Sequence, residues 1–109
     1  SMGKKKKDTG GKSGVDLLDK ETVRLEPPKK YNVVFYNDDY TPMDFVMAVL
    51  MKVFRHNVMS AYEIMMNVHE TGKGIAGTYP KGIAETKARH AMDLAKSAEF
   101  PLLCKAEEV

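Results

Sequence analysis

A polar tripeptide between an apolar run and an amphipathic segment is the stretch of this sequence best suited to chemistry. Asn37, Asp38 and Asp39 directly follow the apolar residues 31–36. Asn and Asp side chains bind their own backbone in turns, so turn formation alone could explain the composition. A carboxylate and an amide oxygen at one corner could equally serve as acceptors for a cationic ligand. The local pattern is compatible with both interpretations.

His69 is the other polar candidate, and the set is a weak one for catalysis. It adjoins the apolar stripe of a predicted helix, where most histidines are partly buried and structural. Two adjacent aspartates in a strand would point to opposite faces and make a poor acid–base pair. One His and one Asp provide too few ligands for a metal. The sequence also lacks a Gly-rich phosphate loop, a serine elbow and an HExxH motif. We therefore expect no enzymatic activity, no cofactor and no metal site.

Composition narrows the remaining function classes. With 109 residues and a net charge of +2, the chain has room for one domain and gives no whole-chain indication of nucleic acid binding. The basic run Lys4–Lys7 is followed at once by Asp8 and a Gly/Ser stretch, which is typical of a solvated tail. A lone cysteine, Cys104, forms no intramolecular disulfide, so we expect a reducing, cytoplasmic environment and a small core residue. No apolar run approaches the ~20 residues of a membrane span.

Hydrophobic patterning predicts a flexible tail at residues 1–26 and a folded domain at 27–109. The tail has too few apolar residues to bury. Strands are predicted at 31–36, 74–79 and 102–106, and helices at 42–56, from 60 to a stop at residue 72, and at 80–98. This order, β-α-α-β-α-β, predicts an α+β fold in which a small antiparallel three-stranded sheet packs against three helices.

Capping residues predict where the helices begin and end. Thr41 is a good N-cap for the first helix, and Asp44 completes a capping box with it. Ser60 and Glu63 form a second capping box at the start of the next helix. Gly72 should end that helix in the left-handed conformation. The strand-to-helix corner that carries the polar tripeptide is thus strongly specified.

Each predicted helix has one apolar face, and the sequence also contains a row of methionines in the first helix and two glycines in the second strand. Met43, Met47 and Met51 form an additional row that is typical of gap-filling core, although Met also serves at adaptable binding surfaces. Gly74 and Gly77 in the second strand suggest the close approach of another backbone. The apolar faces comprise Val46, Val49, Leu50 and Val53 in the first helix, Ala61, Ile64, Met65 and Val68 in the second, and Ala84, Ala88, Ala91 and Ala95 in the third.

The order and spacing of several motifs resemble the ClpS family over roughly residues 28–106. The most specific part is Asn37–Met43, which reads Asn-Asp-Asp-Tyr-Thr-Pro-Met. The other matching segments are Val68-His69, Gly72-Lys73, Gly77, Ala84–Lys87 and Pro101–Cys104. The resemblance implies a non-enzymatic, monomeric adaptor that recognises N-degrons, which are large hydrophobic residues (Leu, Phe, Tyr or Trp) at protein N-termini. Such an adaptor hands its substrates to a ClpA-type AAA+ unfoldase, which feeds the ClpP protease.

The resemblance also implies roles for individual residues. Asn37, Asp38 and His69 match family positions that hold the substrate's α-amino group, an ammonium with three donors and no acceptor. Glu85 and Lys87 match positions used against the unfoldase, whereas Gly82 stands where some members carry an acidic residue. The residues that match the family's hydrophobic pocket are Thr41, Met43, Val46, Met65, Val68 and Leu102.

An alternative function from another class remains open at this stage. A translation-associated or nucleic-acid-binding domain could use the lysine tail and the third helix. Such a domain would bind oligonucleotides with a steep salt dependence. An adaptor would instead bind peptides that begin with Leu or Phe and ignore their N-acetylated forms.

Overall fold

A computed structural model describes residues 24–109 of the protein. Its elements follow the predicted order and form the predicted α+β fold of three helices and a three-stranded antiparallel sheet. Most of the predicted tail, residues 1–23, lies outside the described part of the chain. The elements are β1 (Lys30–Tyr36), α1 (Met43–Lys52), α2 (Val58–Thr71), β2 (Lys73–Pro80), α3 (Lys81–Ser97) and β3 (Leu103–Glu108).

Strand β1 is the centre of the sheet and pairs antiparallel with both β2 and β3. Its β-branched and aromatic residues suit a buried strand, and Val33 and Phe35 are completely buried beneath the helices. Cys104 of β3 lies opposite Phe35 and is 1% exposed. Burial raises the pKa of its thiol to about 12, so the prediction of a core residue rather than a nucleophile is confirmed.

The helices pack on the sheet through the predicted apolar faces. The alanines of α3 are buried, and their small side chains let this helix lie close to all three strands. The methionine row of α1 is different, because Met43 is 42% exposed and Met51 is 37% exposed. The expectation that this row fills gaps in the core is therefore wrong for its two ends.

The two capping boxes predicted from the sequence are absent from the described helices. The N-cap of α1 is Pro42, which makes no side-chain cap bond, so Thr41 is not the cap. Helix α2 begins at Val58, and the N–H of Ser60 donates to the side chain of its cap Asn57 at 2.9 Å. The earlier start follows from Asn57, whose residue type is a strong N-cap.

Two positive backbone angles mark where the first two helices end. Gly72 has a φ of 99° and donates its N–H to the carbonyl of Val68, which confirms the predicted left-handed stop. Helix α1 ends at Lys52, before the predicted His56, and Arg55 in the following loop has a φ of 65°. A left-handed residue cannot continue a right-handed helix, so the loop begins earlier than the apolar pattern suggested.

The closest neighbours of the β2 glycines Gly74 and Gly77 are side chains. A Cβ atom at Gly74 would lie 2.9 Å from Cγ2 of Val68 and 3.1 Å from Nδ2 of Asn67. At Gly77 it would collide with the ring of Tyr79. The sequence thus predicted a close approach at both positions. The nearest neighbours are side chains, and at Gly74 the backbone carbonyl oxygen of Ile64 lies 3.6 Å from the Cβ position. The contact at Gly74 brings β2 against the side of α2.

Candidate functional site

The polar tripeptide lies where the end of β1 meets the end of α2. The backbone N–H of Asn37 donates to the carbonyl of Gly72 at 2.9 Å. This bond joins the residue that follows β1 to the residue that ends α2. Asn37 and His69, both exposed, consequently lie on opposite sides of one corner. His69 is therefore not the partly buried histidine that its place beside an apolar stripe most often indicates.

The carboxylate of Asp38 is fixed by three hydrogen bonds within its own turn. Its Oδ1 accepts from the backbone N–H of Tyr40 at 2.8 Å and of Thr41 at 2.7 Å. Its Oδ2 accepts from the hydroxyl of Thr41 at 2.8 Å. Asp38 thus does form the turn, as the simpler interpretation of the tripeptide held. A carboxylate can accept about four hydrogen bonds, so Asp38 retains capacity for a ligand.

The three hydrogen bonds to Asp38 favour the ionised form of its side chain. Burial by itself raises the pKa of Asp38, because it penalises the charge. The bonds from the backbone of Thr41 and Tyr40 and from the hydroxyl of Thr41 outweigh burial, and the pKa lies below its ordinary value. The corner therefore holds a fixed negative charge at neutral pH.

A cavity of about 260 Å³ opens beside this charge. One wall is polar and is formed by the corner between β1 and α1. The other walls are apolar side chains of α1 and α2. The volume lies just below the ~300–1,000 Å³ of ordinary small-molecule sites, so the cavity suits one large side chain. Its lining residues are Asn37, Asp38, Asp39, Thr41, Met43, Val46, Met65, Val68 and His69.

Leu102 lies behind this cavity rather than in its lining. It is 6% exposed and borders a narrower space of about 20 Å³. This space and the larger cavity are both lined by Asn37, Asp38, Thr41 and two valines. Leu102 thus supports the floor of the site. The structure brings together all three candidate acceptors and five of the six candidate pocket residues around one cavity.

Asp39 is the lining residue that was not among the candidates. It is exposed at the cavity rim, next to the fixed carboxylate of Asp38. Its membership of the polar tripeptide was the available signal. Adjacent aspartates point to opposite faces in a strand, but Asp38 and Asp39 follow the end of β1 and both line the same cavity.

Glu85 and Lys87 lie on α3, outside the lining of the cavity. Glu85 is exposed, but Lys87 is half-buried. The ammonium of Lys87 donates to the carbonyl of Val53 at 2.9 Å and lies 5.3 Å from the centre of the Tyr79 ring. In the structure this lysine ties α3 to the end of α1.

Residues 24–109 provide neither a metal-binding cluster nor a membrane-spanning helix. No group of three or more His, Cys, Asp or Glu side chains there could hold a metal ion. None of the helices in this part of the chain is long and apolar enough to cross a membrane.

Comparison with known proteins gives consistent results. Residues 26–105 match the family model of ClpS, described as the ATP-dependent Clp protease adaptor protein. The chain is 50% identical over 96 residues to the ATP-dependent Clp protease adapter protein ClpS of Vibrio atlanticus (strain LGP32), covering 88% of this chain and 91% of that protein. Its fold is similar to the structure of ClpS2 from Agrobacterium tumefaciens bound to L-phenylalaninamide. The TM-score is 0.74 at 43% identity, and the match covers 76% of this chain and all of that one.

Proposed function

The chain belongs to the ClpS family of Clp protease adaptors, and we propose that it captures proteins by a large hydrophobic first residue. The substrate's α-amino group binds at the corner formed by Asn37, Asp38 and His69. The side chain of its first residue enters the adjacent cavity. L-Phenylalaninamide, the ligand of the Agrobacterium relative, carries the same two groups, a free α-amine and an aromatic side chain.

The observation that carries this proposal is the position of an ionised carboxylate beside an apolar cavity. An ammonium group needs acceptors at fixed positions, and Asp38 supplies both an acceptor and the opposite charge. The amide oxygen of Asn37 and the neutral ring of His69 supply further acceptors. Met65 and Val68 provide an apolar wall on the same helix as His69.

The expected affinity suits an adaptor that must release its cargo. Burial of a Leu or Phe side chain contributes ~1.5–3 kcal/mol. Hydrogen bonds that involve a charged group contribute ~1.5–3 kcal/mol each. After the costs of association are subtracted, two or three such contacts give roughly micromolar binding, about −8 kcal/mol.

The adaptor then delivers its substrate to a ClpA-type AAA+ unfoldase for degradation by ClpP. We assign it no catalytic step of its own, and we expect it to act as a monomer in the cytoplasm. Glu85 and Lys87 on α3 form part of the surface that meets the unfoldase. This surface lies apart from the cavity, so a substrate and the unfoldase can be bound together.

A reconstituted degradation assay tests this function. A fluorescent reporter that begins with Phe should be degraded by ClpA and ClpP faster when the adaptor is added. A reporter that begins with Ser is the matched control and should show no acceleration. Equal rates with and without the adaptor for the Phe reporter would contradict the proposal. An oligonucleotide titration with a steep salt dependence would favour the nucleic-acid alternative.

A further inference from the structure

Helices α1 and α2 pack against each other, and a second apolar surface lies beside their contact. Residues 53–57 join the end of α1 to the start of α2. The opposite ends of the two helices both line the cavity, through Met43 on α1 and through Met65 and His69 on α2. The contact side of the pair therefore extends from the cavity to the connecting loop.

Contacts that α1 and α2 make with other elements show which of their side chains face this apolar surface. Phe45 of α1 packs with its ring 5.0 Å from that of Phe100, beyond the end of α3, so the methionine row of α1 points to the other side. On α2, the side that carries Asn67 lies against β2 at Gly74. Tyr62 and Met66 occupy the opposite side, toward α1. We call the resulting surface the methionine groove, comprising Met43, Met47, Met51, Tyr62 and Met66.

The methionine groove is apolar and partly open to solvent. Met47 and Met66 are half-buried against the core. Met51 and Tyr62 are 37% and 51% exposed, and Met59 at the far end is 68% exposed. Contiguous exposed apolar side chains on a small protein often mark an interaction site. Met is flexible and polarisable, so such a surface can accept apolar side chains of many shapes.

We propose that the methionine groove binds apolar side chains at residues 2–5 of the same polypeptide whose first residue occupies the cavity. The inference rests on the proposed function, because the cavity must first hold a peptide N-terminus. Met43 lines the cavity and also begins the methionine groove, so the two surfaces are continuous. The bound chain leaves the cavity over Met43 and continues along α1 toward Met51.

The length of the methionine groove sets the length of the bound segment. Met43 and Met51 are separated by eight helical positions, which span about 12 Å. An extended chain advances about 3.3 Å per residue, so the surface accommodates about four residues. Among its five defining side chains, only Tyr62 carries a strong hydrogen-bonding group. The preference should accordingly be for apolar character rather than for a particular sequence.

Three ligands separate this inference from the proposed function. L-Phenylalaninamide reports on the cavity alone. The peptide Phe-Gly-Leu-Gly-Leu-Gly-amide presents apolar residues to the methionine groove, and Phe-Gly-Ser-Gly-Ser-Gly-amide is its polar match. We expect wild type to bind the leucine peptide about five- to tenfold more tightly than the serine peptide. The double variant Met51→Gln/Tyr62→Gln should bind the two equally and retain its affinity for L-phenylalaninamide. Ile83→Gln, at an exposed position on α3, is the matched control and should keep the difference.

The results of these titrations distinguish failure of the proposed function from failure of the methionine-groove proposal. If L-phenylalaninamide does not bind, the proposed function fails. If it binds but the two peptides have equal affinities for wild type, the proposal for the methionine groove is overturned. It is also overturned if the double variant keeps the leucine preference. If the double variant instead loses only its affinity for the unfoldase, or is a monomer where wild type is a dimer, the surface binds that partner and not the substrate.

Discussion

Thr41 holds the carboxylate of Asp38 with two hydrogen bonds, one to each oxygen. Its backbone N–H lies 2.7 Å from Oδ1 and its hydroxyl lies 2.8 Å from Oδ2. The residue that the sequence suggested as a helix cap therefore stabilises the charge at the head of the candidate site. This arrangement makes Asp38 a turn former, and it also fixes the carboxylate for the ammonium group that we propose it binds.

We predict that Asp38→Asn and Asp38→Ala both weaken the binding of Phe-initiated peptides. The asparagine can still accept from the N–H groups of Tyr40 and Thr41, so it removes the charge while retaining the turn. The expected loss is ~1.5–3 kcal/mol, the range for a hydrogen bond that involves a charged group. Isothermal titration gives the dissociation constants, and circular dichroism checks the fold. An unchanged constant for a folded Asp38→Ala variant would remove this residue from the site.

The lowered pKa of Asp38 also predicts a pH dependence of stability. The pKa of Asp38 is lower in the folded chain than in the unfolded chain. Its ionised carboxylate therefore stabilises the fold at pH values above the unfolded-state pKa of ~3.9. This stabilisation is lost as the pH falls through the folded-state pKa. The difference in unfolding free energy between wild type and Asp38→Asn, measured in urea, should be constant from about pH 7 to about pH 5 and shrink below about pH 4. A difference that persists unchanged to about pH 2 would show that the charge is not its cause.

Met43 should act as a size and shape filter at the cavity. It is the first residue of α1, lines the cavity and is 42% exposed, so it lies at the opening. Ile and Val branch at Cβ, where they would collide with this side chain, whereas Leu and the aromatics branch one carbon later. Lost contact alone discriminates weakly between apolar residues, by ~1–3 kcal/mol per methylene, so exclusion of Ile requires a clash.

We therefore expect Met43→Ala to improve the binding of peptides that begin with Ile or Val. Peptides that begin with Leu or Phe should lose little affinity. The measurement is a set of dissociation constants for peptides that differ only at the first residue. Equal affinity of wild type for Ile and Leu peptides, or an equal loss for all peptides in the variant, would show that Met43 is not a filter.

Lys87 should contribute to stability as well as to any contact with the unfoldase. Its ammonium donates to the carbonyl of Val53 and lies near the rings of Phe54 and Tyr79. Lys87→Met keeps much of the side-chain bulk but loses this bond, and we expect a loss of about 1 kcal/mol in unfolding free energy. Glu85→Gln, at an exposed site two positions earlier, is the control and should leave stability unchanged within about 0.5 kcal/mol. If the two variants are equally stable, Lys87 is only a surface residue.

The fold was largely predictable because its apolar periodicities are unambiguous. Val33 and Phe35 in a short strand, and the alanines of α3, indicated buried faces that the structure confirms. Helix starts were less predictable, because several residues near each start can cap. Asn57 rather than Ser60 caps α2, and the hydroxyl of Thr41 donates to Asp38 instead of accepting from a helix amide.

The candidate site was predictable in its residues but not in its arrangement. Periodicity alone placed His69 beside the stripe of Met65 and Val68. The polar tripeptide itself singled out Asn37 and Asp38, and the family resemblance supplied their expected roles. Local pattern could not show that Asp39 reaches the same cavity or that Leu102 lies behind it, because both depend on how β1, α2 and β3 meet in space. The binding roles of these residues remain predictions.

Recognition of a free N-terminus is the central claim, and one pair of peptides tests it most directly. A Phe-initiated peptide and its N-acetylated form differ only at the α-amino group, which acetylation leaves without charge. Titration of each into the protein at neutral pH should give roughly micromolar affinity for the free peptide and no measurable binding of the acetylated one. Equal affinity for the two peptides would contradict the claim that Asn37, Asp38 and His69 bind the α-amino group.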